Sequence, residues 1–242
     1  MAGMDKNLNE LLKWGIENSA APDPSAPETS GPKTSLNAEA LAAIMGAPSD
    51  AELMQASMAA ITSKDPEMTL ESKLTAFDNL EQLVESLDNA NLLSRLGLWT
   101  PLLELLGHEE DQLRLMAAWC VGTAVQNNAP SQERLVALGG VEKLVAMALG
   151  ERLPMEKRAG DGEETTGEAV AAANTNGGAA KDVRRKAIYA LSSAVRNYQP
   201  ALDVAAKELR KRGEDVQEGM DATDMDALNE LMNGLKNKAL NA

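Results

Sequence analysis

Sliding the sequence along itself reveals an internal repeat, and nothing else in it narrows the possible folds as far. Lys73, Ala76, Leu80, Leu83 and Val84 in KLTAFDNLEQLVESLDN align with Arg114, Ala117, Val121, Ala124 and Val125 in LRLMAAWCVGTAVQNN. They align again with Arg184, Ala187, Leu191, Ala194 and Val195 in VRRKAIYALSSAVRNY. Arg114 lies 41 residues after Lys73, and Arg184 lies a further 70 on. The apolar positions recur every three or four residues, so each copy reads as one amphipathic helix. A single such helix cannot bury its apolar face alone; stacking copies side by side builds a continuous core.

The second copy carries the remainder of a repeat. LVALGGVEKLVAMAL at Leu135 to Leu149 matches LSRLGLWTPLLELL at Leu93 to Leu106, with Leu138 and Gly139 answering Leu96 and Gly97. Glycine tolerates the left-handed turn that ends one helix before the next begins. A period near 41 with three helices per repeat fits the ~40 to 47 residue range of armadillo rather than two-helix arrays. The 29 residues in excess of one period fall in Glu151 to Lys181, which holds five glycines, no aromatic residue and no sustained apolar period. That stretch is expected to be a disordered insertion between helices.

Composition agrees with helices. Aromatic residues are only 2% of the 242, while 44% are apolar, a supply suited to helix packing rather than to strands. The expected fold is all-α: a short right-handed armadillo solenoid over residues 36–242 with an N-terminal helix and a C-terminal capping helix. Asp5 to Asn18 places Leu8, Leu11, Leu12 and Ile16 on one face of a short helix, residues 1–18 forming a separate segment. Residues 19–35, with Pro22, Pro24, Pro27 and Pro32, read as a flexible linker. Two helices follow at Asn37 to Met45 and Asp50 to Ser63, the latter opened by Ser49 and Glu52 at capping-box spacing. Residues 221–240 form the capping helix, with Thr223 and Asp226 at the same spacing.

A net charge of −14 argues against nucleic acid and anionic membrane as partners, since binding to phosphates rests on clustered cations. The one basic knot, Lys207 to Arg212, falls where a helix is expected to end and where cations complement the dipole. One cysteine excludes an intramolecular disulfide framework; no secretory leader or membrane-crossing run is evident, so the chain is expected in the cytoplasm. Catalysis finds no constellation. His108 follows an expected helix end, and Cys120 falls within the apolar pattern of a repeat helix. AGDGEETTGE lacks the strand and the Lys-Ser or Lys-Thr pair of a phosphate loop, and Asp221, Asp224 and Asp226 lack the rest of a calcium loop. No catalytic, cofactor or metal residues are assigned, and the scattered methionines read as core filler.

In this architecture the aligned helix lines an extended concave face suited to gripping another protein. On that face the second copy presents Trp119, Thr123 and Gln126; the equivalents are Asp78, Gln82 and Glu85 in the first copy and Tyr189, Ser193 and Arg196 in the third. Trp and Tyr flanked by polar groups have the composition of binding hot spots, while packing between neighbouring helices is the plain alternative. The positions where peptide-gripping armadillo proteins carry an asparagine ladder hold Gln82, Thr123 and Ser193, which argues against that mode.

The phrases NELLKWGIENS, KLTAFDNLEQLVESLDNANLLSRLGLWTPLLELL, AAWCVGTAVQNNAPSQERLV and DVRRKAIYALSSAVRNYQPAL resemble the fungal Fes-type nucleotide exchange factors of cytosolic heat-shock chaperones of the seventy-kilodalton class, relatives of the animal Hsp-binding proteins. The resemblance runs from Leu8 to about Leu235 apart from the linkers. It implies a monomeric, non-enzymatic co-chaperone without cofactor, whose helical arc grasps one lobe of the chaperone's ATPase domain and promotes ADP release. It implies a role in releasing bound substrate for the N-terminal segment, carried onto Leu11, Leu12 and Trp14, and a chaperone contact at the turn Asp88 to Asn91, through Asn89 and Ala90. After the third copy the sequence offers one more helix where such proteins continue with a further repeat. An armadillo adaptor for an unrelated partner is the alternative.

Overall fold

A computed structural model of the chain describes residues 48–153 and 177–241. Among them every regular element is helical: α1 (Asp50–Ile61), α2 (Leu70–Val84), α3 (Leu87–Arg95), α4 (Trp99–Glu104), α5 (Asp111–Val125), α6 (Ala129–Ala137), α7 (Gly140–Ala148), α8 (Gly177–Val195), α9 (Gln199–Lys211) and α10 (Met225–Asn241), with a 3₁₀ turn at Leu105–Gly107 after α4. The expected segment 1–18, the linker, the helix Asn37 to Met45 and the release residues Leu11, Leu12 and Trp14 lie outside the described residues. Backbone contacts divide the chain into a first unit, Met1–Leu53, and a second, Met54–Ala242.

In the first unit the described residues start α1, and the expected capping box is present: Glu52 N–H donates to Ser49 Oγ at 3.3 Å and Ser49 N–H to a Glu52 carboxylate oxygen at 2.8 Å. The two bonds satisfy donors that a helix start leaves open.

The second unit realises the repeat. α3, α4 and α5 form one triplet of two short helices and a long one, and α6, α7 and α8 form the next. The three aligned sequence copies are α2, α5 and α8; α5 packs against both others, and more extensively against α8. Their shared apolar positions are buried, Leu83 only in part: Ala76, Leu80 and Val84; Ala117, Val121, Ala124 and Val125; Ala187, Leu191, Ala194 and Val195. The turns repeat as well. Gly97 and Gly139 both take φ near +70° between the short helices, and Asn127 and Asn197, after the ends of α5 and α8, take φ of 52° and 55°. Asparagine is among the few side-chain-bearing residues that enter this region readily.

Gln132, buried on α6, binds the end of α8 to the array: its Nε2 lies 3.1, 3.0 and 3.0 Å from the carbonyl oxygens of Ser193, Ala194 and Arg196. These include carbonyls that a helix end leaves without intrahelical partners. Arg184 Nε likewise donates to the Ala148 carbonyl at 3.1 Å, joining α8 to the end of α7.

Three sequence expectations need correction. The insertion was expected to reach Lys181, but α8 already begins at Gly177; Ala179 and Ala180 are strong helix formers, and Lys181 Nζ donates to the Leu240 carbonyl at 3.0 Å. Two helices, not one, follow the third copy. α9 starts with a proline in its first turn, where the missing N–H costs no bond, and the loop after it is tied back by Gln199, which accepts from Ala222 N–H at 2.9 Å and donates to the Met220 carbonyl at 3.0 Å. The last helix spans Met225–Asn241 rather than 221–240, and its cap is Asp224, whose Oδ1 accepts from Ala227 N–H at 3.1 Å; the Thr223 hydroxyl instead donates to Asp221.

The basic knot lies at a helix end, as its charge pattern suggests. Arg210 and Lys211 occupy the last turn of α9, and Arg212 pairs with Glu151 at 2.8 Å and with Glu208 at 2.7 Å. Among the described residues no helix is long and apolar enough to cross a membrane.

Candidate functional site

A groove of about 580 Å³ opens where α2, α5 and α8 meet, the three helices that the repeat makes equivalent. Its walls are Glu81 and Val84 from α2, Trp119 and Thr123 from α5, and Tyr189 from α8, with Glu85, Leu87, Gln126 and Asn127 at the helix ends. Helical spacing explains the α5 wall, because Trp119, Thr123 and Gln126 follow one another at steps of four and three residues.

Two cross-helix bonds fix the walls. The Thr123 hydroxyl donates to Glu81 Oε1 at 2.8 Å, linking α5 to α2, and the Tyr189 hydroxyl donates to Gln126 Oε1 at 3.3 Å, linking α8 to α5. A third determinant is the lack of a side chain. A Cβ at Gly122 would lie 2.6 Å from Tyr189 Cε1 and 3.0 Å from the Ala190 Cα, so the Tyr189 ring rests on the α5 backbone only because that residue is glycine. Both aromatic residues are half-buried, packed at their base and open to the groove. Packing between neighbouring helices thus accounts for part of each ring, and the rest faces the groove.

Lys186, one turn before Tyr189, lays its Nζ over the Trp119 ring at 3.3 Å from the centroid and stands 5.6 Å from the Tyr189 centroid. Burial lowers its pKa, opposed by the attraction of Glu81. The groove therefore has aromatic walls and two carboxylates, and the Lys186 ammonium lies over one of the rings that line it.

Of the expected contact residues, Glu85, Trp119, Thr123, Gln126 and Tyr189 come together here. Asp78 and Gln82 are exposed on α2 but do not line the groove. Ser193 is buried, contrary to its expected place on the open face, and its carbonyl accepts from Gln132. Arg196 is turned toward the C-terminal helix, donating from Nη2 to Asn229 Oδ1 at 2.7 Å and from Nη1 to Met225 Sδ at 3.1 Å. Asn89 and Ala90 are also buried, at 7% and 1% exposure, because Asp88 to Asn91 is not a turn but the start of α3. No surface contact can be assigned to either side chain in this arrangement. Glu81, Leu87, Asn127 and Lys186 were not singled out from the sequence.

The two residues that catalysis would have needed have structural positions. His108 Nδ1 accepts from Glu110 N–H at 2.9 Å, just ahead of α5, and its pKa is lowered by burial and by Lys73. Cys120 is fully buried, its Sγ 3.9 Å from the Phe77 carbonyl oxygen; burial pushes its thiol pKa well up, with Glu81 and Asp78 adding to the shift. A thiol held protonated is a poor nucleophile.

Fold and groove together define an all-helical repeat protein with a groove along the face of its long helices. A family model described as nucleotide exchange factor Fes1 matches residues 8–93. The chain is 53% identical to the Hsp70 nucleotide exchange factor FES1 of Gibberella zeae over 97% of both proteins, and 47% identical to its Neurospora crassa counterpart over 99% of this chain and 100% of that protein. It is 35% identical to the Saccharomyces cerevisiae protein of the same name, over 86% of this chain and 61% of that one. The chain belongs to the Fes1 family.

Proposed function

We propose that the chain is a nucleotide exchange factor for a cytoplasmic Hsp70 chaperone, acting as a non-enzymatic co-chaperone by binding the ATPase domain and promoting ADP release. The observation that carries this reading is the match over nearly its whole length to proteins named for that activity.

The groove formed by α2, α5 and α8 is the proposed grip, with Glu85, Trp119, Thr123, Gln126 and Tyr189 as contacts and Glu81, which also lines it, added to them. Half-buried aromatic rings fit this role: they supply large contact area, and their fixed setting leaves little side-chain freedom to lose on binding. Exchange then follows from linkage. If the protein binds the open ATPase domain better than the ADP-closed one, it must weaken ADP by the factor by which ADP weakens it.

The test is the release of fluorescent ADP from a cytosolic Hsp70, chased with ATP and followed by stopped flow. A large acceleration by the wild-type chain, lost when Trp119 and Tyr189 are both replaced by Ala, is expected. An unchanged rate with no complex by titration would reject the exchange function and leave a helical-repeat adaptor for another partner.

A further inference from the structure

We propose that the slot beside the Trp119 and Tyr189 rings is a subsite for an arginine side chain of the partner, and that Lys186 holds this place in the free protein. The inference rests on the groove being the chaperone-binding face.

Aromatic faces attract cations, guanidinium groups most often, and Trp is the strongest such face. Here the face is already in use. Lys186 Nζ sits 3.3 Å from the Trp119 centroid, yet among the described residues its three N–H donors have neither a hydrogen bond nor an ion pair. The carboxylates are close at hand in the groove wall: Glu81, tied to the Thr123 hydroxyl, and the exposed Glu85, just past the end of α2. Asp78 extends this acidic stripe by one turn in the other direction.

Lys186 covers the ring and feels the attraction of Glu81, but its ammonium makes no hydrogen bond or ion pair to either carboxylate among the described residues. A guanidinium can do both at once, since it is flat, stacks on an aromatic ring and presents a fork of donors to a carboxylate. Lys186 has a long, flexible stem and can carry its charge out to solvent when displaced. The Trp119 ring and the groove carboxylates together thus suit a cation that can serve both, which Lys186 over the ring does not. A chain of net charge −14 also favours approach by a basic patch.

The test uses the full chain and two readouts. In the first, titration against a nucleotide-free Hsp70 ATPase domain compares wild type with K186M, which keeps the packed stem but removes the competing charge, and with K186Q as a polar control. Both should bind about threefold to tenfold more tightly, and E85Q should bind a few-fold more weakly, with a shallower salt dependence. In the second, N-acetyl-arginine amide is titrated without chaperone while the Trp119 indole N–H is followed by NMR. It should perturb that signal in K186M at lower concentration than in wild type. Equal or weaker chaperone binding by both Lys186 variants would overturn the proposal, as would an arginine probe that leaves Trp119 unmoved. If the wild-type chain forms no complex with the ATPase domain, the chaperone reading fails, and the arginine probe still decides the slot.

Discussion

The two seams that α5 makes with its neighbours differ at one register position. In the α2 copy this position is Glu81, and its side chain reaches across to the Thr123 hydroxyl of α5. In the α5 copy the equivalent residue is Gly122, and the Tyr189 ring of α8 fills the space a side chain would take. One seam is held by a polar arm, the other by close approach of backbone and ring. The period makes the helices equivalent; the residue at this position decides whether a seam closes tightly or opens into a groove, and the groove lies where one of each kind meets.

The comparison can be broken at several points. The largest effect is expected at the core of the α2–α5 seam, where Phe77 is fully buried: F77A should cost about 3–5 kcal/mol of unfolding free energy, read from the denaturant midpoint. At the tighter seam, G122A should cost about 1–3 kcal/mol because neither the Tyr189 ring nor the α8 backbone can yield freely, and it should weaken chaperone binding by displacing Tyr189. T123V removes only the bond to Glu81 and should cost about 0.5–1.5 kcal/mol, with little change in the α5–α8 seam.

The smallest effect is a pH dependence. Burial holds the His108 pKa below its ordinary value, so the neutral ring is the form the fold favours. Its contribution is complete above the unfolded pKa of about 6.5 and is lost as pH falls from there through the lower folded value, where protonation also removes the acceptor for Glu110 N–H. H108N should flatten the stability profile in that window; a profile identical to wild type would remove His108 from this account.

Much of this was legible in the residues. The alignment of Lys73, Arg114 and Arg184 identified the three long helices and their buried face, because a period in apolar positions is a direct record of packing. It also put Trp119, Thr123, Gln126 and Tyr189 on one surface. What it lacks is the offset between neighbouring helices, and this hid Glu81, whose partner Thr123 lies one residue beyond its aligned equivalent. Lys186 could have been found, since it lies one turn from Tyr189 on the same face. Asn89 and Ala90 were misplaced because α2 passes into α3 across only Glu85 and Ser86, with no glycine or proline to mark the break. The engagement of Arg196 with Met225 and Asn229 depends on a long-range contact that no local pattern encodes.

The central claim is that the groove face, and not merely the fold, carries partner binding. Calorimetric titration of a nucleotide-free Hsp70 ATPase domain with two charge variants tests it most directly: E85K/Q126K at the exposed groove edge, and D215K/Q217K on the exposed loop before α10. A loss of tenfold or more in affinity for the first, with the second binding as wild type does, is the predicted result. Equal affinities for both, in folded proteins of unchanged stability, would contradict it.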